Sequence, residues 1–84
     1  MSVKDKGEAT AMPLAMASVG QEVTFHSAHG GRGFQHRLAE MGLTPGISFR
    51  VLAKGSPGPF IITVKNTRLL LGHGMVHRIR VSLI

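Results

Sequence analysis

The sequence contains no cysteine, tryptophan or tyrosine, only four phenylalanines, and four acidic residues in 84. Each shortage removes a class of function. Without cysteine there are no disulfides and no thiolate metal sites, a composition suited to a reducing cytoplasm. With so few aromatics, a groove for proline-rich peptides cannot be lined in the usual way. Few carboxylates leave little for acid–base chemistry. Asp5 and Glu8 fall in a polar leading stretch, so Glu22 and Glu40 are the acids left, and nothing in the sequence pairs them. Beyond the leading stretch, Ser18, Ser27, Ser48, Ser56 and Ser82 lack a nucleophile-elbow context. We therefore expect no catalytic residues, no enzyme and no cofactor. Long apolar runs are missing too. The stretch AMPLAMASVG, residues 11–20, contains a proline and is too short to span a bilayer. It also lacks the basic flank of a signal peptide. A cytoplasmic domain is expected, meeting a membrane only through a partner.

What is present is positive charge. Ten Lys and Arg against four Asp and Glu give a net charge of +6. That balance favours anionic partners: nucleic acid, an anionic membrane face or an acidic protein surface. The charges are spread singly rather than in one run, so composition alone does not choose among them.

The length fits one small domain with a modest core. Residues 1–10, MSVKDKGEAT, have no periodicity, and with Ala11 they read as a disordered tail, residues 1–11. Beyond it, Leu14, Met16 and Val19 are apolar and Gly20 turns the chain into EVTFHSA. There Val23 and Phe25 alternate with Thr24 and His26, as a half-buried strand requires. The glycine-rich AHGGRG, residues 28–33, matches neither phosphate-loop fingerprint and reads as a strand-to-helix loop.

In HRLAEMGLTPG a helix begins and stops abruptly. Phe34, Leu38 and Met41 share one helical face. Gly42 stands where a helix end favours positive φ, and Leu43 can fold back on the helix. Pro45 and Gly46 suit the centre of a type II turn.

Four more extended segments follow. In ISFRVLA, Ile47, Phe49 and Val51 share one face and Ser48, Arg50 and Leu52 the other. KGSPGP, residues 54–59, is a turn. FIITVK then sets Phe60, Ile62 and Val64 against Ile61, Thr63 and Lys65. A tight turn is expected at Asn66-Thr67. RLLLG places Leu69 and Leu71 inward and Leu70 outward. GHGM, residues 72–75, reads as a single 3₁₀ turn, and VHRIRVSLI sets Ile79, Val81 and Leu83 against Arg78, Arg80 and Ser82.

About five short strands, with one short helix between the first two, make an all-β fold: a small barrel, closed or nearly so. Its interior would be filled by side chains, so function must lie outside. On that outside, Leu52, Ile61 and Leu70 take outward slots on neighbouring strands, rimmed by Arg50, Lys65 and Arg68. Such a patch suits a protein partner or a second copy of the chain, unless residues 12–19 cover it.

Together these residues resemble the FeoA family of small accessory proteins of bacterial ferrous iron transport. The resemblance rests on Leu14 to Gly20, on RLAEMGLTPG at Arg37 to Gly46, on the strand opening at Gly58-Pro59, and on Arg68 to Val81. It runs from about Met12 to Leu83 and centres on Leu38, Met41, Gly42, Leu43, Pro45 and Gly46. It implies an SH3-like barrel over residues 12–84 and a regulatory role beside FeoB, the membrane transporter with a G-protein domain. It implies no catalytic residues. Similar domains end iron-dependent repressors, but over these 84 residues we expect no DNA-binding helical domain.

Two other readings stay open. One is a basic nucleic-acid-binding barrel, opposed by scattered charge and a shortage of stacking aromatics. The other is a transition-metal module built on His26, His29, His36, His73 and His77. His73 and His77 are four apart, a usable ligand spacing, but no carboxylate or cysteine lies nearby as a third ligand. We therefore assign no metal site.

Overall fold

The computed structural model describes residues 11–55 and 58–84. The expected tail, apart from Ala11, and Ser56-Pro57 of the KGSPGP turn lie outside the described residues.

A two-residue strand β1, Met12–Pro13, leads into one 3₁₀ turn, Leu14–Met16. Then come β2, Glu22–Ala28; helix α1, Arg32–Glu40; β3, Ser48–Ala53; β4, Phe60–Val64; and β5, Thr67–Leu71. A second helix α2, His73–Arg78, and β6, Ile79–Leu83, finish the chain. All strand pairs are antiparallel, in the order β1-β6-β2-β3-β4-β5.

This corrects the expected barrel in two respects. There are six strands rather than about five, and the sheet is open, ending at β1 on one side and β5 on the other. The extra strand is β1, paired to β6 through Met12↔Val81 and Pro13↔Arg80. Two residues cannot display an alternation, and a proline argues against a strand except at a sheet margin, where this one lies.

Alternation nevertheless builds the core. Val23, Phe25, Phe49, Val51, Phe60, Ile62, Val64, Leu71, Ile79 and Val81 are buried from the strands. Leu14, Ala17, Leu38, Leu43 and Val76 close over them from the turn, loops and helices. Two bulges break the period. One lies between Phe25 and Ser27 against β6, the other between Val51 and Ala53 against β4. Leu83, expected inward, is 47% exposed although its cross-strand partner Val23 is fully buried; it is the last residue of β6.

Local chemistry explains the exit from α1. The Gly42 N–H donates to the Ala39 carbonyl (3.0 Å), and the Leu43 N–H donates to the Leu38 carbonyl (2.9 Å). These are the paired bonds of a Schellman motif, with Gly42 at φ 87° and Leu43 buried with Leu38. The Ile47 N–H then donates to the Thr44 carbonyl (3.0 Å) across Pro45 and Gly46, with Gly46 at φ 94°. That is a type II turn.

Two further local expectations are corrected. The β4–β5 turn is centred on Lys65 and Asn66, both at positive φ (50° and 67°), while Thr67 pairs with Val64. Positive φ at both central residues is the hairpin geometry that matches strand twist. The segment after Gly72 is a six-residue helix, not one 3₁₀ turn. Among the described residues no helix is long and apolar enough to cross a membrane.

Candidate protein-interaction surface

Strand register decides which outward side chains meet. Arg50 lies opposite Thr63, and Thr63 opposite Arg68, forming one polar row across β3, β4 and β5. The next row begins with Ile61 opposite Leu70. Leu52 adjoins it as the extra residue of the β3 bulge, beside Ala53↔Ile61. Leu70 is 63% exposed, Leu52 36%, and Ile61 is half-buried between its neighbours. The sequence-selected residues Arg50, Leu52, Ile61, Arg68 and Leu70 thus fall on one continuous face.

The cover considered for this face is elsewhere. β1 and the 3₁₀ turn pack against β6 and α2. The Arg80 Nη2 donates to the Ala11 carbonyl (2.9 Å), tying the strand start to β6.

The two rim arginines differ. Arg50 Nη1 donates to the Gly20 carbonyl (2.9 Å), and Nη2 stands 3.7 Å from Glu22 Oε1. Its charge is partly answered within the chain. Arg68 is exposed and forms no ion pair among the described residues. Lys65, expected beside them on β4, is carried into the hairpin turn.

The histidines disperse over the surface. All five are exposed. His36 Nε2 lies 3.2 Å from Glu40 Oε2 on α1, and His26 Nδ1 is 3.1 Å from Ser27 Oγ. His73 and His77 are both on α2. Among the described residues no three His, Asp or Glu gather in a way that could hold a metal ion. Aromatic platforms are similarly scarce. Phe25, Phe49 and Phe60 are buried, and the half-buried Phe34 carries the Arg78 guanidinium 4.8 Å from its ring centroid. Sequence reasoning missed this last contact, because nothing local links positions so far apart in the chain.

Comparison with known proteins gives a consistent result. The FeoA domain family matches residues 12–83. A Methanocaldococcus jannaschii protein named "Putative Fe(2+) transport protein A" is 35% identical over 70 residues, covering 83% of this chain and 84% of its own. The crystal structure of an iron uptake regulatory protein (FeoA) superposes with a TM-score of 0.81 at 32% identity, covering 88% of this chain and 99% of that one. A manganese-dependent transcriptional repressor shares the fold alone, with a TM-score of 0.79 at 20% identity over 88% of this chain and 42% of the repressor. With nearly the whole described domain matched in sequence and in shape, the chain belongs to the FeoA family.

Proposed function

We propose that this chain is a non-enzymatic accessory module of ferrous iron transport, working in the cytoplasm by contact with a FeoB-type transporter. Family membership and the name of its M. jannaschii relative support the transport role. The contact mechanism rests on one observation: the outward apolar row of exposed Leu52 and Leu70 with half-buried Ile61 between them, bordered by Arg50 and Arg68. Exposed leucine beside arginine is suited to a protein interface, where apolar anchors sit within a polar rim. Nucleic acid is less well served, because no exposed aromatic among the described residues offers a stacking platform. Contact shifts the transporter between states only to the extent that it favours one of them.

Ile61→Lys tests the face. The inward residues Phe60, Ile62 and Val64 stay intact, and the Lys stem can lie along the surface with its ammonium in water. We expect a cooperatively folded variant whose affinity for the transporter's cytosolic part falls about tenfold or more, roughly 1.4 kcal/mol. Unchanged affinity in a folded variant would remove this face from the contact.

A further inference from the structure

The sheet has two margins, and they are unlike. β1 has two residues, one of them Pro13. β5 has five, TRLLL, without proline, glycine or bulge, in unbroken register with β4 from Phe60↔Leu71 to Val64↔Thr67. Natural sheets usually blunt such an edge with proline, bulges or charge. Here the only charge on the edge strand is Arg68.

The two-residue turn fixes which backbone groups face outward. In such a hairpin the flanking pair, Val64 and Thr67, exchanges both bonds, and every second pair repeats the pattern. Thr67, Leu69 and Leu71 therefore direct their N–H and C=O toward β4. Arg68 and Leu70 direct theirs away from it, and these groups have no hydrogen-bond partner among the described residues. The same two residues place their side chains, both exposed, on the outer face.

From this we infer that β5 is a docking edge, to which an extended segment of the protein partner adds as a seventh strand. This deepens, and rests on, the reading of the β3–β4–β5 face as the partner contact. Backbone bonds from Arg68 and Leu70 give the segment its register, and the adjoining side chains give selectivity. Residues two apart on the incoming strand share a face. The fit is an acidic residue across from Arg68 and an apolar one across from Leu70. Charge supports an acidic occupant. Setting aside Lys4, Lys6, Asp5 and Glu8, the described residues carry eight Lys and Arg against two Glu. Both glutamates already have cationic or imidazole neighbours in Arg50 and His36. A second copy added antiparallel along the same edge would set Arg68 or Leu70, and never an acid, across from Arg68, because TRLLL contains no carboxylate.

A proline separates the edge from the face. Leu70 lies opposite Ile61 at a position whose N–H does not bond β4, so Leu70→Pro removes an outward donor while sparing the hairpin. Leu70→Val keeps that donor and an apolar side chain. With the cytosolic part of a FeoB-type transporter as probe, Leu70→Pro should bind about tenfold or more weakly than Leu70→Val, which reads what the change of side chain alone costs. Arg68→Glu should weaken binding comparably. In the parent complex, the Arg68 and Leu70 amides should exchange more slowly than in the free protein, a measurement that stands if Leu70→Pro fails to fold. Equal binding by the proline and valine variants, or unchanged exchange at both amides, overturns strand addition. If Ile61→Lys still weakens binding in that case, the face reading survives alone. If neither Ile61→Lys nor Leu70→Pro matters, both fall. A concentration-dependent dimer of the parent that Leu70→Pro abolishes would replace the acidic partner with a second copy.

Discussion

The two helices are both short, yet they are held in different ways. α1 ends on a motif contained within Leu38 to Ile47: positive φ at Gly42, a buried Leu43, and a type II turn at Pro45-Gly46. α2 has no comparable local stop and passes straight into β6. It contributes one buried residue, Val76, and packs on the 3₁₀ turn around Leu14. Arg78 at its end rests on Phe34 of α1, and the Arg78 carbonyl accepts from the His29 N–H (2.9 Å). α1 is thus encoded where it stands, while α2 exists because distant segments meet it. A six-residue helix is too short to be stable alone, which is why packing must supply the difference.

The sharpest way to break that contrast is Leu14→Ala. Leu14 is fully buried in the turn that supports α2. Losing it should cost about 3 kcal/mol, the scale of a leucine truncated in a core. Amide exchange should rise at Met75 and Val76 more than at Leu38 and Ala39. Equal loosening of both helices would show that α2 does not depend specially on the turn.

Next comes the local stop itself. A Cβ on Gly42 would meet no atom within 4 Å, so a substitution there is opposed by backbone conformation alone. Gly42→Ala should cost about 1 kcal/mol and Gly42→Val about 2, since L residues, β-branched ones above all, resist positive φ. Thermal or denaturant unfolding measures both. A neutral Gly42→Val would mean that α1, too, is set by its surroundings.

The same contrast explains what could be read from the sequence. The inward residues of β4 and the exit from α1 follow from nearest-neighbour patterns, and both are visible in the string. The apolar row was accessible for the same reason, because Ile61 and Leu70 need only alternation along their own strands. β1 was hidden: its two residues acquire strand character only by pairing with Val81 and Arg80, far away in sequence. α2 was hidden similarly. At the candidate surface, alternation placed Arg50 outward but could not show that Gly20 and Glu22 partly engage it. Lys65 was misplaced because a two-residue turn and a strand end look alike until the register is known. Leu83 was misplaced because alternation reports a face and not how far the last side chain of a strand is covered.

The smallest effect should come from the contact that ties the two helices together. Replacing Arg78 by Met removes the guanidinium above Phe34 while keeping an unbranched, apolar side chain that can lie over the ring. The His29 N–H to Arg78 carbonyl bond belongs to the backbone and should persist. Phe34 is half-buried and Arg78 exposed, so the lost cation–π attraction should be at the exposed end of its range, about 0.5–1 kcal/mol. Sulfur–aromatic contact from the new Met will recover part of it. Denaturant unfolding resolves a change of this size, and Phe34→Leu supplies the comparison, since it removes the ring as well as its cation. If Arg78→Met is neutral and Phe34→Leu is costly, the ring acts as packing under α2 rather than as the arginine's partner. If the two lose stability alike, and their combination loses no more than either alone, the pair itself is the link between the helix whose end is written locally and the one whose end is not.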